Sequence, residues 1–462
     1  MSIFEKNREN PKLSQNRIIP FLFSLICTAI YVSLIFNENV WLDEAFSASI
    51  IRCGFRDMLI KTFSDTLPPF YNISAWAFTH IFGFSTVILK VYSVIPMFLL
   101  MTVSAYFIPK IASVRSSCLF IVMITVMPHF LEHGVEIRMY SWAVLFAAST
   151  AIFAICYLQG ESRTGRWLVV CTVLGAYTHQ YALIAEAFVW LMLLFGSIRR
   201  HTVKEWGKMA AVCIICYIPC AILTVYQLKA ATAYFSAEPV SFGSFLSSVR
   251  YPFVTNFTIL SATLMTFTFL LLCYSISKGK YMCAYLFLIY IFVTAISFAI
   301  MIATGSTFFS SRYLMPSIVM LWLGASLALD MLLTENRYVW MAAIPLVLAV
   351  FVVIYLQQYH AEYVDLSEFM EFIDSTGEED GYVIFEEYPE IEICLGYYAP
   401  WLRSFDIDDI GEINGRKFIF VNREMHTDDI EKIKNKNYEL KYVENLSFDR
   451  YNFKAYELIR FD

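Results

Sequence analysis

The sequence is short of charge. Asp, Glu, Lys and Arg supply 16% of its 462 residues, where a soluble globular protein carries about 25%. That shortage excludes an ordinary soluble enzyme and a disordered chain. Residues 360–462 contain no glycine-rich phosphate loop, so no nucleotide site is indicated there. No internal repeat or low-complexity stretch is evident, and the composition also excludes a fibre. A disulfide framework is lacking too, although there are eleven cysteines. Most lie inside apolar runs, as Cys27, Cys118, Cys156, Cys171 and Cys273 do, and read as small buried hydrophobes.

Apolar residues fill the space that charge leaves. Hydrophobic types reach 58% and the mean hydropathy is +0.57. A chain of this length and composition is expected to be a polytopic α-helical membrane protein with one small soluble domain. The charge that exists is uneven. Residues 1–358 are net basic and residues 359–462 strongly acidic, and together they give −6. The acidic tail argues against nucleic acid as a partner and against docking on an anionic leaflet.

Eleven apolar runs mark the expected spans. The first, Ile18–Phe36, follows Lys6, Arg8, Lys12 and Arg17. The others lie near 87–109, 116–132, 139–158, 167–178, 182–197, 209–227, 257–276, 281–303, 312–332 and 339–358. Alternate loops carry the positive charge, in Lys110 and Arg115, Arg163 and Arg166, Arg199 to Lys208, Lys278 and Lys280, and Arg337. The positive-inside rule places those loops and residues 1–17 in the cytoplasm. An odd number of spans then puts residues 359–462 outside, as an acidic α/β domain. Phe70–Gly83 is apolar but too short to span, and is expected to lie in the outer interface inside a long first loop, 37–86.

That small domain shows mixed signals. Leu366–Ile373 reads as an amphipathic helix, Gly381–Phe385 and Lys417–Val421 as buried strands, and Thr427 as the cap of a helix running to Lys434. Tyr438–Val443 and Asn452–Ile459 read as closing strands.

Polar residues that carry chemistry gather on the expected outer side. Asp43 and Glu44 follow the first span directly. Each reads either as a helix-start acid suited to the dipole or as a general base at the membrane surface. Glu136, Arg138 and Tyr140 lie between the third and fourth spans; the Glu–Arg pair is a rim salt bridge or a phosphate-holding group. His179 sits in the tight turn Tyr177–Tyr181, as a structural residue or a site residue. Arg312 and Tyr313 open the tenth span, and Lys90 lies near the outer end of the second. Both cations either snorkel to the interface or meet a phosphate. Acids, a histidine and several cations on one face suit a phosphate-bearing substrate and a proton abstraction.

In this order the motifs resemble the GT-C glycosyltransferases: an acidic pair after the first span, Asp65-Thr66-Leu67-Pro68-Pro69-Phe70-Tyr71, then E-x-R-x-Y, Y-T-H-x-Y and R-Y-L-x-P. The similarity is to bacterial family 39-like relatives of the protein O-mannosyltransferases and to the lipid A aminoarabinose transferases, over roughly residues 15–360. It implies an integral-membrane hexosyl- or pentosyltransferase of the cytoplasmic membrane. Such an enzyme moves a sugar from a polyprenyl-phosphate donor, undecaprenyl phosphate in bacteria, to a lipid, polysaccharide or protein acceptor outside, by a single inverting displacement. By the resemblance Asp43 is the catalytic acid residue of the first loop, with Glu44 its neighbour. Lys90, Glu136, Arg138, Tyr140, His179, Arg312 and Tyr313 become substrate-binding residues. Many relatives carry His or Lys before Pro-Pro where this chain has Leu67, so Lys61 or Lys90 would have to replace that cation. Asp43, Glu44 and Glu136 form no clear ligand set, and no metal or other cofactor is expected to be required. The rival reading is a transporter or flippase of lipid-linked sugars, which would place its charges near the midplane and show repeats.

Overall fold

A computed structural model describes residues 17–231, 241–304, 309–361, 367–376, 383–384, 389–398, 410–411, 416–421, 427–448 and 451–461. Lys6, Arg8 and Lys12, and the outer residues of the expected strand Gly381–Phe385, lie outside these.

Each of the eleven apolar runs is a helix. Eight are long and apolar enough to cross a membrane: Thr86–Ile111, Tyr140–Leu158, Gln180–Arg199, Val203–Gln227, Thr258–Ser277, Tyr281–Ala303, Ser311–Glu335 and Arg337–Tyr359. Three are shorter: Ile18–Leu34, Val114–Val126 and Thr164–Ala176. Leu42–Arg52, Phe55–Ser64 and Phe70–Phe82 form short helices after the first. The chain is a multi-pass membrane protein.

Burial sorts the helices. Tyr140–Leu158 and Ser311–Glu335 are buried nearly all round, whereas Val203–Gln227 and Arg337–Tyr359 are mostly exposed. The central helices are rich in small residues, such as Ala143, Ala147, Ala148, Ala151 and Ala154. Small side chains let backbones approach, which is how helices pack where lipid tails offer no hydrophobic drive between them. Gly324 shows the limit: a Cβ there would lie 3.0 Å from the Cys283 carbonyl and 3.2 Å from Leu286. Exposed Ile214, Ile215, Ile218 and Ile222 on the outer helix suit contact with lipid.

The run expected at 116–132 ends earlier, at Val126. Met127 precedes Pro128 and takes an extended backbone (φ −74°, ψ 153°), because a proline ring crowds the residue before it out of the helical region. His129 then adopts a left-handed φ of 70° and starts a separate helix, Phe130–Val135.

The chain divides into two compact units. The larger holds residues 1–37 and 54–360, the smaller residues 38–53 and 361–462. The Leu42–Arg52 helix groups with the residues that follow 360. It packs on a helix the sequence did not reveal, Pro389–Tyr398. The Tyr398 hydroxyl accepts the Val40 N–H at 2.6 Å, and Arg52 reaches the Gly396 and Tyr397 carbonyls at 3.5 and 3.4 Å.

In the smaller unit a four-stranded sheet has the order β1 (Val383–Ile384), β2 (Phe418–Val421), β4 (Tyr451–Arg460), β3 (Tyr438–Phe448). β1 and β2 are parallel and the other pairs antiparallel, with a bulge between Tyr442 and Glu444. All four residues of β2 are buried. Phe418 and Phe420 meet Phe372 and Phe369 of the Ser367–Thr376 helix, while Ile419 and Val421 join Ile433 of the Thr427–Asn435 helix. Both faces of the strand are covered, which is why it reads as a continuous apolar run.

Candidate functional site

Three loops of the larger unit meet. The first is the break between the Phe130–Val135 and Tyr140–Leu158 helices. Glu136 is extended there (φ −60°, ψ 137°), and the Arg138 N–H turns back to the Glu136 carbonyl at 2.7 Å. Non-helical backbone thus presents both side chains, and both are buried. Gly134 permits this turn to sit against the first helix, since a Cβ there would lie 2.2 Å from the Tyr31 ring. Tyr31 in turn donates to the Ile124 carbonyl at 2.6 Å.

The second is the turn carrying His179, which caps the Gln180–Arg199 helix through Nδ1 by accepting the Tyr181 N–H at 3.1 Å. This turn is tied to the Asp65–Tyr71 segment. The Phe70 N–H donates to the Tyr177 carbonyl at 3.0 Å, and Gln180 Nε2 to the Thr66 carbonyl at 2.8 Å. The third is the 3-10 turn Ser311–Leu314, which leads into the Met315–Glu335 helix.

Their aromatic rings stand together. Tyr313 lies 5.4 Å from His179, 5.7 Å from Tyr181 and 6.5 Å from Tyr140, centroid to centroid. Tyr140 is 5.9 Å from His179. The Arg312 guanidinium sits 5.9 Å from the Tyr313 ring. Six of the expected binding residues, Glu136, Arg138, Tyr140, His179, Arg312 and Tyr313, therefore converge from three loops.

Electrostatics fix the state of the histidine. Burial first, then the charges of Arg138 and Arg312, hold His179 down to about 3, so the ring is neutral at physiological pH. An N–H can be accepted only by an unprotonated nitrogen, so Nδ1 is bare and Nε2 carries the hydrogen. His179 is a hydrogen-bond donor here, not a base. Its Nε2, the Tyr140 hydroxyl and Glu136 Oε1 are buried and have no hydrogen-bond partner among the described residues. Buried polar atoms are rarely left so. Two neutral donors beside two guanidiniums form a setting for an anionic, oxygen-rich ligand.

Beside this cluster the His133 Nδ1–H donates to Glu136 Oε2 at 2.5 Å. Burial works against charge on His133, but Glu132 and Glu136 outweigh it and raise its pKa. Burial likewise pushes Glu132 up, yet His133 and His129 pull it down to about 2.

No family model matches the chain, and no curated protein matches it in sequence. Solved structures do. ArnT from Cupriavidus metallidurans, a lipid A aminoarabinose transferase, is similar in its apo state with a TM-score of 0.57 and 12% identity, over 94% of this chain and 97% of that one. The same protein bound to undecaprenyl phosphate gives 0.55 and 12% over the same shares. The oligosaccharyltransferase AglB from Archaeoglobus fulgidus, in complex with an inhibitory peptide and a dolichol-phosphate, gives 0.51 and 13% over 82% of this chain and 64% of that one. The chain has the GT-C fold.

The remaining expected residues belong to other elements than these three loops. Lys90 is buried in the Thr86–Ile111 helix, and its ammonium donates to the Asn37 carbonyl. Lys61 is exposed on the Phe55–Ser64 helix. Asp43 and Glu44 belong to the smaller unit, in the first turn of the Leu42–Arg52 helix. Glu44 is buried and accepts the Trp41 N–H at 3.2 Å, which is a capping role. Asp43 is half-buried.

Sequence reading missed His129, Glu132, Tyr181 and Tyr251 near the converging loops. His129, Glu132 and His133 carry an H-x-x-E-H spacing that was legible. Hydropathy alone masks it, since the apolar run continues to residue 132.

Proposed function

We propose that the protein is a membrane glycosyltransferase that takes a sugar from a polyprenyl-phosphate donor and passes it to an acceptor outside the cytoplasmic membrane. The observation that carries this reading is the cluster of Arg138 and Arg312 around a neutral, donating His179, with Tyr140 beside it. The reading assigns the two guanidiniums to the donor phosphate. As the sugar leaves, charge grows on that phosphate, and preplaced cations and N–H donors stabilise it without reorganising. A lipid phosphate is a good leaving group, so no strong acid is needed. ArnT, which shares the fold, has been solved with undecaprenyl phosphate bound, and that supports the choice of carrier.

The acceptor hydroxyl needs a base. Asp43 is assigned that role on its place directly after the first span and on the first-loop acid of the resembling enzymes. Attack on the face opposite the phosphate, in one displacement, inverts the anomeric centre. The basic loops at Lys110–Arg115, Arg163–Arg166, Arg199–Lys208 and Lys278–Lys280 support an orientation with the converging loops and the acidic tail outside.

Purified protein incubated with polyprenyl-phosphate sugars and a cell-envelope acceptor should release free polyprenyl phosphate and form a glycosylated product. Movement of labelled lipid across vesicles with no product would replace this reading by the flippase.

A further inference from the structure

The H-x-x-E-H segment has a geometry that phosphate binding does not explain. His129, Glu132 and His133 each offer one ligand atom, all within 4.8 Å of one another. We infer that these three side chains bind a divalent transition-metal ion of the zinc type, leaving a fourth coordination position open.

The ring nitrogens that face away from the cluster fix the tautomers. His129 Nε2 lies 3.0 Å from the Tyr251 carbonyl. A carbonyl only accepts, so Nε2 carries the hydrogen. Nδ1 then turns its lone pair toward Glu132 Oε2, 3.2 Å away. A lone pair facing a carboxylate repels it unless a cation, a proton or a metal, lies between. His133 is pinned through Nδ1–H, which donates to Glu136, and its bare Nε2 accepts the Tyr251 hydroxyl at 3.0 Å, a bond the metal would replace. Metal-binding histidines are held this way, with the remote N–H on a carbonyl or carboxylate, which fixes the tautomer and raises the basicity of the ligating nitrogen.

The segment is also rigidly placed. Tyr251 stacks on His129 at 3.8 Å and 7°, supplies the carbonyl for one histidine and the hydroxyl for the other. The two rings stack on each other at 6.0 Å and 25°. His129 stands at the N-cap of the Phe130–Val135 helix and His133 lies within it, so both rings stand at the same short element.

Ligand type selects the ion. Two imidazoles and one carboxylate suit zinc and its neighbours, whereas magnesium and calcium prefer oxygen alone. Ligand atoms of a tetrahedral site with bonds of about 2.1 Å stand roughly 3.4 Å apart, so closure needs side-chain shifts on the order of an ångström. Three protein ligands are the number found where a fourth position is kept for water or substrate. The sequence reading expected no required metal; the inference concerns binding, and it stands whether or not the chain is a transferase.

The test uses full-length protein in detergent, stripped with a chelator and titrated with Zn2+ by calorimetry. One equivalent should bind. His129→Asn and His133→Gln should each weaken binding by at least tenfold, and Glu136→Gln by about 10- to 100-fold through His133. Asn is used at 129 because it tolerates the left-handed backbone there. His201→Ala, at an exposed loop, should leave binding unchanged. Cobalt loaded into the wild type should give the intense visible absorption of a tetrahedral site, a readout that needs no variant. Wild type that binds no zinc, or zinc binding equal in all variants, would overturn the inference and leave the proton as the cation between His129 and Glu132.

Discussion

His179 accepts the backbone N–H of Tyr181 on Nδ1 at 3.1 Å, and this single bond decides what the histidine can do. It caps the helix, bares Nδ1 and leaves the proton on Nε2, beside Arg138 and Arg312. A histidine that reads from the sequence as a structural residue or a site residue is locked as a donor.

A pH dependence follows from that state. Burial and the two arginines depress the His179 pKa from 6.5 to about 3, so below about pH 6.5 the unfolded chain binds a proton that the folded chain refuses. Stability is therefore fully present above pH 6.5 and falls as pH drops toward 3, by at most about 1.4 kcal/mol per pH unit. His133, whose pKa is raised, acts with the opposite sign in the neighbouring window. The difference between wild type and His179→Asn isolates the first effect: thermal unfolding at pH 7 and pH 5 should show a smaller acid loss in the variant. Equal losses would mean that His179 is not held neutral.

Arg138→Ala and Arg312→Ala should each weaken donor binding by about tenfold or more, because a charge-assisted contact contributes roughly 1.5–3 kcal/mol. Binding of a polyprenyl phosphate measured by calorimetry reads this directly. Unchanged affinity in both variants would leave the guanidiniums as structural cations.

The adjacent acids should separate. Asp43→Asn is expected to lower transfer by roughly 100- to 10,000-fold with stability retained. Glu44→Gln alters a capping bond to Trp41 and is expected to cost about 1 kcal/mol or less in stability, with transfer retained. A transfer assay paired with thermal unfolding distinguishes the two roles, and near-normal transfer in Asp43→Asn would remove it as the base.

A third arrangement is structural. Asp330 takes the Arg115 guanidinium together with the hydroxyls of Ser113 at 2.7 Å and Ser116 at 2.6 Å. It ties the Val114–Val126 helix to the Ser311–Glu335 helix. Asp330→Ala should destabilise the chain by about 1–3 kcal/mol, since the buried Ser116 hydroxyl loses its acceptor while the part-exposed Arg115 can turn to water. Melting in detergent, with donor affinity of the surviving fold as control, checks this.

Orientation is tested by a cysteine at Ser447, in β3. An impermeant thiol reagent applied to intact cells should label it above the background of the parent. Labelling only after lysis would place the tail in the cytoplasm and remove the common outer side of the site residues.

Much of the fold was legible because the membrane leaves few choices. An apolar backbone in lipid must satisfy its own hydrogen bonds, so each long apolar run has to be helical, and every one is, apart from the break at Pro128 in the third. β2 was readable for a related reason: burial on both faces leaves no polar alternation. The Pro389–Tyr398 helix was not readable, since its packing partner, the Leu42–Arg52 helix, lies some 340 residues earlier. His129 and Glu132 were lost to a run that Pro128 in fact cuts.

The sequence by itself determined the long apolar helices, their order and which residue types stand at their ends, because these follow from local hydropathy and backbone chemistry. Only the tertiary structure decided that Glu136, Arg138, Tyr140, His179, Arg312 and Tyr313 come together, and that His179 is a neutral donor among them. Those facts depend on distances between loops far apart in the chain, and charge state and burial are properties of the neighbourhood that folding builds, not of the residue.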